Sequence, residues 1–315
     1  MRHIKTVSII VPCYNEAAVI DRFYAETKAV LETMPQYNFE IIFVNDGSRD
    51  DTLRHIGHLA KVDRDVKYIS FSRNFGKESA MLAGLEHATG DIVGIMDADL
   101  QHSPSMIPQM LSAVDNEGYD VAAARRSDRE GEEALKSRLS EAFYKIVNKV
   151  SDTYIDDGAQ DFRFMKRQVV DSIISMQEHN RFIKGIFSFV GFNTKWFPHE
   201  NIERAAGETK WNIKKLFRYA IDGIIGFTNF PLRLPLFLGL LFAAAGVLGY
   251  IITLILCLAT DAAWGSRLIV DTIFFVGGVI MCCIGVTGEY IARIYDEVKD
   301  RPKYIIQYSN CVKKK

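Results

Sequence analysis

The sequence lacks several features that would assign it to common classes of protein. Its five cysteines form no C-x-x-C pair, so we expect neither a zinc site nor a disulfide framework. The formal net charge of −1 shows no excess of basic residues, so we expect no nucleic-acid partner. No secretory signal peptide is expected, because the first apolar run, Val7–Val11, is short and leads directly into a polar motif.

Charge is also missing from a long stretch near the C-terminus. Leu236–Ala259 contains no charged residue, and a second apolar run extends from Leu268 to Gly288 with Asp271 near its start. At about 1.5 Å per residue, each run can cross a hydrocarbon core of roughly 30 Å. We therefore predict a hairpin of two transmembrane helices, with a pair of buried core helices as the alternative.

The basic residues around these runs predict the orientation of the hairpin. The loop 260–267 between the runs contains one basic residue, Arg267. Basic residues flank the pair of runs on both outer sides: Lys214, Lys215, Arg218, Arg233, Arg293, Lys299, Arg301 and Lys303. The positive-inside rule then places both chain ends in the cytoplasm. Two amphipathic segments, 136–150 and 213–225, are predicted either to pack on the protein core or to lie at the bilayer surface.

Short apolar runs alternate with helical patterns in the first 130 residues. The predicted strands are Val7–Val11, Glu40–Val44, Val66–Phe71, Asp91–Met96 and Asp120–Ala124, and the predicted helices are Ala17–Leu31, Thr52–Val62, Lys77–Ala88 and Met106–Asn116. This order predicts an α/β fold with a doubly wound parallel sheet and ligands at the carboxyl ends of its strands. The glycine-rich motifs of dinucleotide-binding and P-loop proteins are absent.

Polar residues follow the predicted strands where each strand ends. They are Pro12–Glu16, Asn45–Ser48, Asp97–His102, Arg125 and Arg126. Two carboxylates two residues apart after a strand, Asp97 and Asp99, can turn toward one ion, and hard oxygen ligands suit Mg²⁺ or Mn²⁺. The sequence thus predicts a divalent metal site there, with a plain acidic turn as the alternative.

These motifs resemble glycosyltransferase family 2, and more closely its polyprenyl-phosphate glycosyltransferases, which include dolichyl-phosphate mannose synthases and bactoprenol glucosyltransferases. The resemblance rests on residues 11–16, 44–48, 73–78 and 97–102, and it continues through 161–165, 204–211, 288–291 and 301–304. It implies a GT-A catalytic domain, inversion at the anomeric carbon and a divalent metal. The implied reaction moves a sugar, with glucose from UDP-glucose favoured, from a nucleotide sugar to a polyprenyl phosphate at the cytoplasmic membrane face.

The resemblance also implies roles for individual residues. The expected nucleoside contacts are Pro12, Tyr14, Glu16 and Asp46, and the expected metal and diphosphate ligands are Asp97, Asp99 and Gln101. Arg126, Arg204 and Lys210 are expected to hold phosphates. Asp161 is expected near the acceptor as a catalytic group that positions rather than removes a proton, with an ion pair to Arg163 or a loop cation as the alternative.

The predicted organisation is a cytoplasmic catalytic domain at 1–211, a juxtamembrane helix at 212–233, the hairpin at 234–292 and a cytoplasmic tail at 293–315. UDP-N-acetylglucosamine and GDP-mannose remain alternative donors, and the resemblance is compatible with a homo-oligomer. A processive polysaccharide synthase is a weaker alternative, since 178–182 matches its motif poorly. A non-catalytic membrane scaffold or flippase component is the alternative from a different class.

Overall fold

The computed structural model describes residues 4–126, 158–176, 178, 181–199, 248 and 265–311. Within them the chain forms a sheet of eight strands in the order β7-β5-β6-β4-β1-β2-β3-β8. The strands are β1 Lys5–Cys13, β2 Tyr37–Asn45, β3 Val66–Phe71, β4 Ile92–Ile95, β5 Val121–Arg126, β6 Ala159–Lys166, β7 Thr194–His199 and β8 Ile306–Ser309.

Helices follow most of the strands and cover both faces of the sheet. They are α1 Ile20–Leu31, α2 Thr52–Val62, α3 Lys77–His87, α4 Ile107–Asp115, α5 Arg167–Ser175, α6 Ile183–Phe189 and α7 Gly265–Val298, and a 3₁₀ turn at Pro104–Met106 precedes α4. The five strands and four helices predicted in the first 130 residues are confirmed. The largest differences in bounds are three residues: α1 begins at Ile20 rather than at Ala17, and β2 begins at Tyr37 rather than at Glu40.

The direction of the strands corrects one expectation. β1 pairs in parallel with β2 and β4, β2 pairs in parallel with β3, and β5 pairs in parallel with β7. However, β6 lies between β4 and β5 and is antiparallel to both, so the expectation of a wholly parallel sheet is wrong. The sequence pattern hides β6, because Asp161 and Arg163 interrupt its apolar run and an antiparallel neighbour needs no crossover helix.

The antiparallel insertion leaves the predicted edge intact. Because β6 reverses direction relative to both β4 and β5, the five strands β1 to β5 all run the same way. Their carboxyl ends therefore meet at one edge of the sheet, as a doubly wound fold requires. This carboxyl edge is where the polar motifs of the sequence are gathered.

The core has two layers, one on each face of the sheet. Strand β1 contributes apolar side chains to both: Val7, Ile9 and Val11 pack on one side and Ile10 on the other. Such two-sided burial is typical of central parallel strands. Phe23 from α1 and Met110 from α4 fill the first layer.

The second layer combines helices with the end of the chain. Leu85 from α3, Ile173 from α5 and Ile186 from α6 are buried there, and Tyr304 and Ile306 pack against the same cluster. Strand β8 is antiparallel to β3 and closes that side of the sheet. Part of the segment predicted as a cytoplasmic tail is thus a strand of the same sheet.

Among the residues that the structure describes, no helix combines the length and the apolar character that a membrane span requires. The first predicted span lies outside the described residues except for Leu248, and the two amphipathic segments, Arg204 and Lys210 lie wholly outside them. The second predicted span falls within α7. Several apolar side chains of α7 are exposed: Ile269, Ile273, Val276, Ile280, Ile284, Ile291 and Ile294.

Candidate active site

Sharp backbone turns follow three neighbouring strands at the carboxyl edge. Asn15 after β1, Gly47 after β2 and Leu100 after β4 have φ angles of 54°, 63° and 58°. A positive φ is uncommon for residues with a side chain, and residues so held concentrate at functional sites. The crevice between β1 and β4 is also the point at which the strand order reverses, where ligands bind in such sheets.

Strand β6 delivers Asp161 to this crevice. Ile95 at the end of β4 is opposite Arg163 in the antiparallel register. If this antiparallel register is continued for two more residues, Asp97 lies opposite Asp161. The two acidic residues, far apart in sequence, therefore share one position at the carboxyl edge.

Lys77, the first residue of α3, bridges these two carboxylates. Its Nζ lies 2.8 Å from Oδ2 of Asp97 and 2.6 Å from Oδ2 of Asp161. The Lys77 side chain is 41% exposed, whereas Asp161 is only 16% exposed. Asp161 is thus in an ion pair, but its partner is the first residue of α3 rather than Arg163 or a loop cation.

Charge within this trio fixes its protonation. Burial by itself raises the pKa of Asp161, but the cations of Lys77, Lys184 and Arg163 outweigh burial and hold that pKa well below its usual range. Burial lowers the pKa of Lys77, and the charges of Asp161 and Asp97 more than reverse this effect, so it stands above its ordinary value. Asp161 is therefore ionised and Lys77 protonated at neutral pH.

The metal residues predicted from sequence lie on one short loop. Oδ1 of Asp99 accepts a hydrogen bond from the backbone N–H of Gln101 at 3.1 Å, and the carbonyl of Gln101 is 2.7 Å from Nε2 of His199. Histidines 102 and 199, to which the sequence assigned no role, have ring centroids 4.7 Å apart. This contact joins the loop to the end of β7.

The donor set of this loop fits a divalent metal. Carboxylates of Asp97 and Asp99 and the amide of Gln101 supply hard oxygen atoms, and the ammonium of Lys77 already occupies a cation position beside Asp97. No group of three or more His, Cys, Asp or Glu that could hold a metal occurs in the described part of the chain. Mg²⁺ commonly completes such a small protein ligand set with substrate phosphates and water.

Asp46, predicted to contact the nucleoside, is buried at 3% exposure. Its two oxygens accept the backbone N–H groups of Phe75 and Gly76, at 2.6 and 2.9 Å. Burial raises its pKa to about 6, and the two hydrogen bonds partly oppose that rise. The contacts observed for Asp46 thus hold the loop that leads into Lys77.

Glycine is required on both sides of this contact. A Cβ on Gly47 would lie 2.3 Å from the backbone carbon of Arg73, so only glycine allows the loops after β2 and β3 to touch. Gly76 has a φ of 101°, a conformation that residues with side chains rarely adopt. These two glycines set the path by which the chain enters α3.

The other predicted nucleoside residues lie on the loop after β1. Pro12 is buried within β1, and Tyr14 and Glu16 are half-buried at its end. The backbone N–H of Asn15 donates to Ser48 Oγ at 3.0 Å, and that of Glu16 donates to Thr52 Oγ1 at 2.8 Å. The loops after β1 and β2 are therefore held together and form one wall of the crevice.

Arg126, expected to contact phosphate, is the last residue of β5 and is half-buried. Its backbone N–H donates to the carbonyl of Gly158 at 3.0 Å, which joins β5 to the start of β6. Arg126 thus lies at the carboxyl edge, on the far side of β6 from Asp97. Arg204 and Lys210 lie outside the described residues.

A second layer of charge lies beside Asp161 and is formed by Arg163 and Glu78. Arg163 is 4% exposed, with its guanidinium carbon 3.4 Å from the ring centroid of Phe187. Burial and the charge of Asp161 raise the pKa of Glu78 to about 8. Glu78 follows Lys77 in the motif 73–78, and this position is the one sequence feature that could have pointed to Glu78.

Arg181 belongs to the segment 178–182 on which the processive alternative rests. Its guanidinium donates to the carbonyls of Met176, at 2.5 Å, and Ile173, at 3.1 Å, so it closes the C-terminal end of α5. The residue that gave segment 178–182 its faint similarity to processive synthases therefore has a structural contact. This geometry gives no support to the processive alternative.

Two parts of the chain match models of known protein families. The family model described as glycosyl transferase family 2 matches residues 8–174, and the model described as GtrB C-terminal hairpin matches residues 230–294. The chain is 43% identical over 305 residues to the bactoprenol glucosyl transferase of Shigella phage SfII, covering 96% of this chain and 98% of the relative. It is 43% identical over 302 residues to the prophage bactoprenol glucosyl transferase homolog of Escherichia coli K12, with the same coverage.

Among solved structures, the chain is similar to a mannosyltransferase from Pyrobaculum calidifontis in complex with GDP-Man and Mn²⁺. The two are 16% identical, the match covers 96% of this chain and 89% of that chain, and the TM-score is 0.46. A likeness of this degree says nothing about individual residues of the site.

Proposed function

The chain belongs to glycosyl transferase family 2 and is a glycosyltransferase, and on that premise we propose that it transfers glucose from UDP-glucose to undecaprenyl phosphate at the cytoplasmic face of the membrane. The acceptor and the sugar are supported by the relatives named as bactoprenol glucosyl transferases, which match nearly the whole chain. Membership of the family leaves the alternative of a non-catalytic scaffold without support.

The observation that carries the chemistry is the pair of carboxylates, Asp97 and Asp161, held by Lys77 at the switch point of the sheet. In the proposed reaction a phosphate oxygen of the acceptor attacks the anomeric carbon, and the bond from that carbon to the diphosphate oxygen breaks. A phosphate monoester has a second pKa near 6, so most of the acceptor is already ionised at neutral pH. Asp161 then orients the acceptor rather than removing a proton.

The leaving diphosphate carries the developing charge, and the crevice contains groups suited to it. Asp97, Asp99 and Gln101 would hold Mg²⁺ or Mn²⁺, which when bound supplies a Lewis acid for the diphosphate oxygens. We propose that Arg126, Arg204 and Lys210 contact phosphates of the donor and acceptor. Pro12, Tyr14, Glu16 and Asp46 are proposed to form the nucleoside side of the crevice.

A membrane hairpin is the second part of the proposal. It is supported by the match of residues 230–294 to the GtrB C-terminal hairpin model and by the row of exposed apolar side chains along α7. Strand β8 returns the chain after α7 to the catalytic sheet, as expected if both ends of the hairpin lie on one side of the membrane. A bilayer-bound site suits an acceptor whose polyprenyl tail stays in the lipid.

The donor assignment is tested with the purified full-length enzyme in lipid nanodiscs containing undecaprenyl phosphate. Radiolabelled UDP-glucose, UDP-N-acetylglucosamine and GDP-mannose are supplied separately, with Mg²⁺, with Mn²⁺ or with EDTA, and lipid-linked label is counted. We expect UDP-glucose to give the fastest transfer and EDTA to abolish it. Faster transfer from another donor would overturn the sugar, and transfer in EDTA would overturn the metal.

The topology is tested by labelling intact cells with a membrane-impermeant maleimide. Asp261→Cys, in the loop between the two predicted spans, should react from outside. Cys311, which is predicted to lie on the cytoplasmic side, should not react from outside until the membrane is permeabilised. Protection of the Asp261→Cys variant in intact cells would contradict the hairpin.

A further inference from the structure

Lys77 has contacts that an ordinary surface lysine does not make. Its ammonium lies within 2.8 Å of a carboxylate oxygen on each of two elements, Asp97 after β4 and Asp161 on β6. Two carboxylates at one position repel each other unless a cation lies between them. The ammonium of Lys77 therefore offsets the repulsion between Asp97 and Asp161 where they lie side by side.

The backbone leading to Lys77 is fixed from three directions. Asp46 accepts the N–H groups of Phe75 and Gly76, so the turn before α3 cannot move without losing a buried contact. The guanidinium of Arg73 lies 4.0 Å from the ring centroid of Phe75. On the other side, the ring of Phe75 packs edge-on against Phe71, with centroids 5.7 Å apart.

The C-terminal segment supports this loop from behind. The ring of Tyr304 is stacked on Phe71 at 5.0 Å, and its hydroxyl donates to Glu86 on α3. The backbone N–H of Ser72 donates to the carbonyl of Ile305 at 3.0 Å. The segment that follows α7 thus contacts the end of β3, where this loop begins, and the last turn of α3.

The carboxylate of Asp97 has two competing partners, the ammonium of Lys77 and the proposed divalent metal. Oδ2 of Asp97 accepts from Lys77, yet Asp97 is also a proposed ligand of the divalent metal. An ammonium and a divalent cation repel each other, so both cannot bind the same carboxylate at full strength. Asp161 is not among the proposed ligands, and its contact with Lys77 does not conflict with the metal.

We propose that Lys77 is a positioning residue that holds Asp161 for the acceptor phosphate and competes with the divalent metal for Asp97. This inference rests on the proposed function. In the absence of donor, Lys77 keeps metal affinity low. When the metal enters with the diphosphate, Lys77 gives up Asp97, retains Asp161 and leaves its remaining donors for the acceptor phosphate.

The test compares Lys77→Met with Lys166→Met in the full-length enzyme. Lys166 is a matched control, because it forms one ion pair of 2.9 Å with Asp120, is similarly exposed and lies at the opposite end of β6. Mn²⁺ binding without donor is measured by the electron paramagnetic resonance signal of free Mn²⁺. We expect Lys77→Met to bind Mn²⁺ about 5-fold more tightly, the scale of one partly exposed ion pair.

Turnover should move in the opposite direction. Without Lys77 the Asp161 carboxylate loses its bridging partner, and misplacement of a positioning group costs about 10²-fold in rate. Lys166→Met should leave both Mn²⁺ affinity and turnover unchanged. Tighter metal binding with slower transfer is a pair of effects that a merely structural lysine would not produce.

Lys77→Arg keeps the test decisive if Lys77→Met does not fold. Arginine retains the charge, so Mn²⁺ affinity should stay at the wild-type level, but its longer, planar guanidinium cannot reproduce the position of the compact Lys77 ammonium between the two carboxylates. Turnover should therefore fall by about 10-fold or more. Wild-type turnover in Lys77→Arg, or unchanged or weaker Mn²⁺ binding in folded Lys77→Met, would overturn the proposal.

The role proposed for Lys77 and the proposed function can be refuted separately. A wild-type enzyme that transfers glucose to the lipid but binds no Mn²⁺ would end the competition at Asp97 and leave the transfer reaction standing. A wild-type enzyme that transfers no sugar would overturn the proposed function itself.

Discussion

Two clusters of charged side chains lie at opposite ends of the sheet. At the amino end, Glu40 is 4% exposed and receives hydrogen bonds from Ser8, Thr89 and Lys67. At the carboxyl end, Lys77 bridges Asp97 and Asp161. Both clusters put carboxylates beside a lysine, but only the first has its oxygens fully used by the protein.

Buried carboxylate oxygens without a hydrogen-bond donor distinguish the carboxyl end of the sheet from the amino end. Among the described residues, Oδ1 of Asp161 and Oε2 of Glu78 are buried without a hydrogen-bond partner. A buried acceptor without a donor costs roughly 1–3 kcal/mol, so such atoms persist where something other than stability selects them. We propose that the amino-end cluster serves stability and the carboxyl-end cluster serves binding and catalysis, and the following variants test this contrast.

The largest effect is expected from Asp161→Asn, which deletes charge and keeps shape. We expect turnover to fall by about 10³-fold, equivalent to about 4 kcal/mol of transition-state stabilisation. Removing a carboxylate that its neighbouring cations keep ionised also costs stability, so turnover is compared per folded molecule, with the folded fraction taken from melting in detergent. The pKa of Asp161 lies below its usual range, so the loss should be nearly constant from about pH 6.5 to 9, above the acceptor's second pKa.

A steep recovery of Asp161→Asn activity as the pH rises would identify Asp161 as a proton acceptor instead. Unchanged activity at every pH would remove Asp161 from the site. Asp120→Asn, which removes an ion pair at the amino end of β5, is the control and should keep full turnover.

Glu40→Gln should lose stability but keep its turnover, whereas Asp161→Asn should lose turnover most. Removing one partner of a buried ion pair costs about 3 kcal/mol, so the melting temperature should fall while turnover per folded molecule is kept. Burial raises the pKa of Glu40, but hydrogen bonds from Lys67, Ser8 and Thr89 lower it below its ordinary value. Its stabilisation is therefore present above the ordinary carboxyl pKa and is lost as the pH falls through the lowered value.

That acid-dependent loss should be absent from Glu40→Gln, and thermal melting across pH 3 to 7 measures it. If Glu40→Gln melted like the wild type but lost turnover, the contrast between the two ends would be wrong.

Asp46→Asn should have an intermediate effect on turnover. An amide oxygen replaces only one of the two acceptors for Phe75 and Gly76, so the loop that carries Lys77 loosens. We expect turnover at pH 7.5 to fall about 10-fold. Because burial raises the pKa of Asp46 to about 6, the wild type itself takes up a proton at lower pH, and the gap should narrow below pH 6.

Asp63→Asn serves as the control for Asp46→Asn, since Asp63 pairs with Lys28 away from the carboxyl edge. A large loss of donor affinity in Asp46→Asn with unchanged turnover at saturation would instead support direct contact with the nucleoside.

The smallest effect is expected from Glu78→Gln. Burial and the charge of Asp161 raise the pKa of Glu78 to about 8. Its contribution to stability is therefore full below the ordinary carboxyl pKa and is lost as the pH rises through about 8. Glu78→Gln and the wild type should melt alike at pH 5, and the variant should be more stable by about 1 kcal/mol at pH 9. A wild type that stays as stable as Glu78→Gln at pH 9 would contradict the raised pKa.

The parts of the fold that could be predicted are those with a repeating apolar pattern. Strands β1 to β5 are short apolar runs followed by polar turns, so both their existence and the carboxyl edge follow from the sequence. Strand β6 does not, because Asp161 and Arg163 lie within it. Strand β8 is short and largely exposed, and its pairing with β3 depends on a return of the chain that no local pattern encodes.

The candidate site shows the same limit. Asp97 and Asp99 stand directly after a predicted strand, and the family motif indicates Asp161. Lys77 follows a glycine at the start of a helix, where lysine is ordinarily a solvated residue. Its role depends on the antiparallel register that brings Asp161 beside Asp97, and on the contact of Asp46 with the preceding turn. Neither contact is local in sequence.

The most direct test of the contrast between the two ends is the rate of glucose transfer per folded molecule in Asp97→Asn and Glu40→Gln, measured side by side. Both enzymes are assayed with UDP-glucose, undecaprenyl phosphate and Mg²⁺, and the folded fraction is taken from the melting curve. We expect Asp97→Asn to transfer at less than about one hundredth of the wild-type rate, since it loses a ligand for the leaving diphosphate's metal. Glu40→Gln should transfer at close to the wild-type rate. Near-normal transfer by Asp97→Asn, or an equal loss in both variants, would contradict the assignment of catalysis to the carboxyl edge.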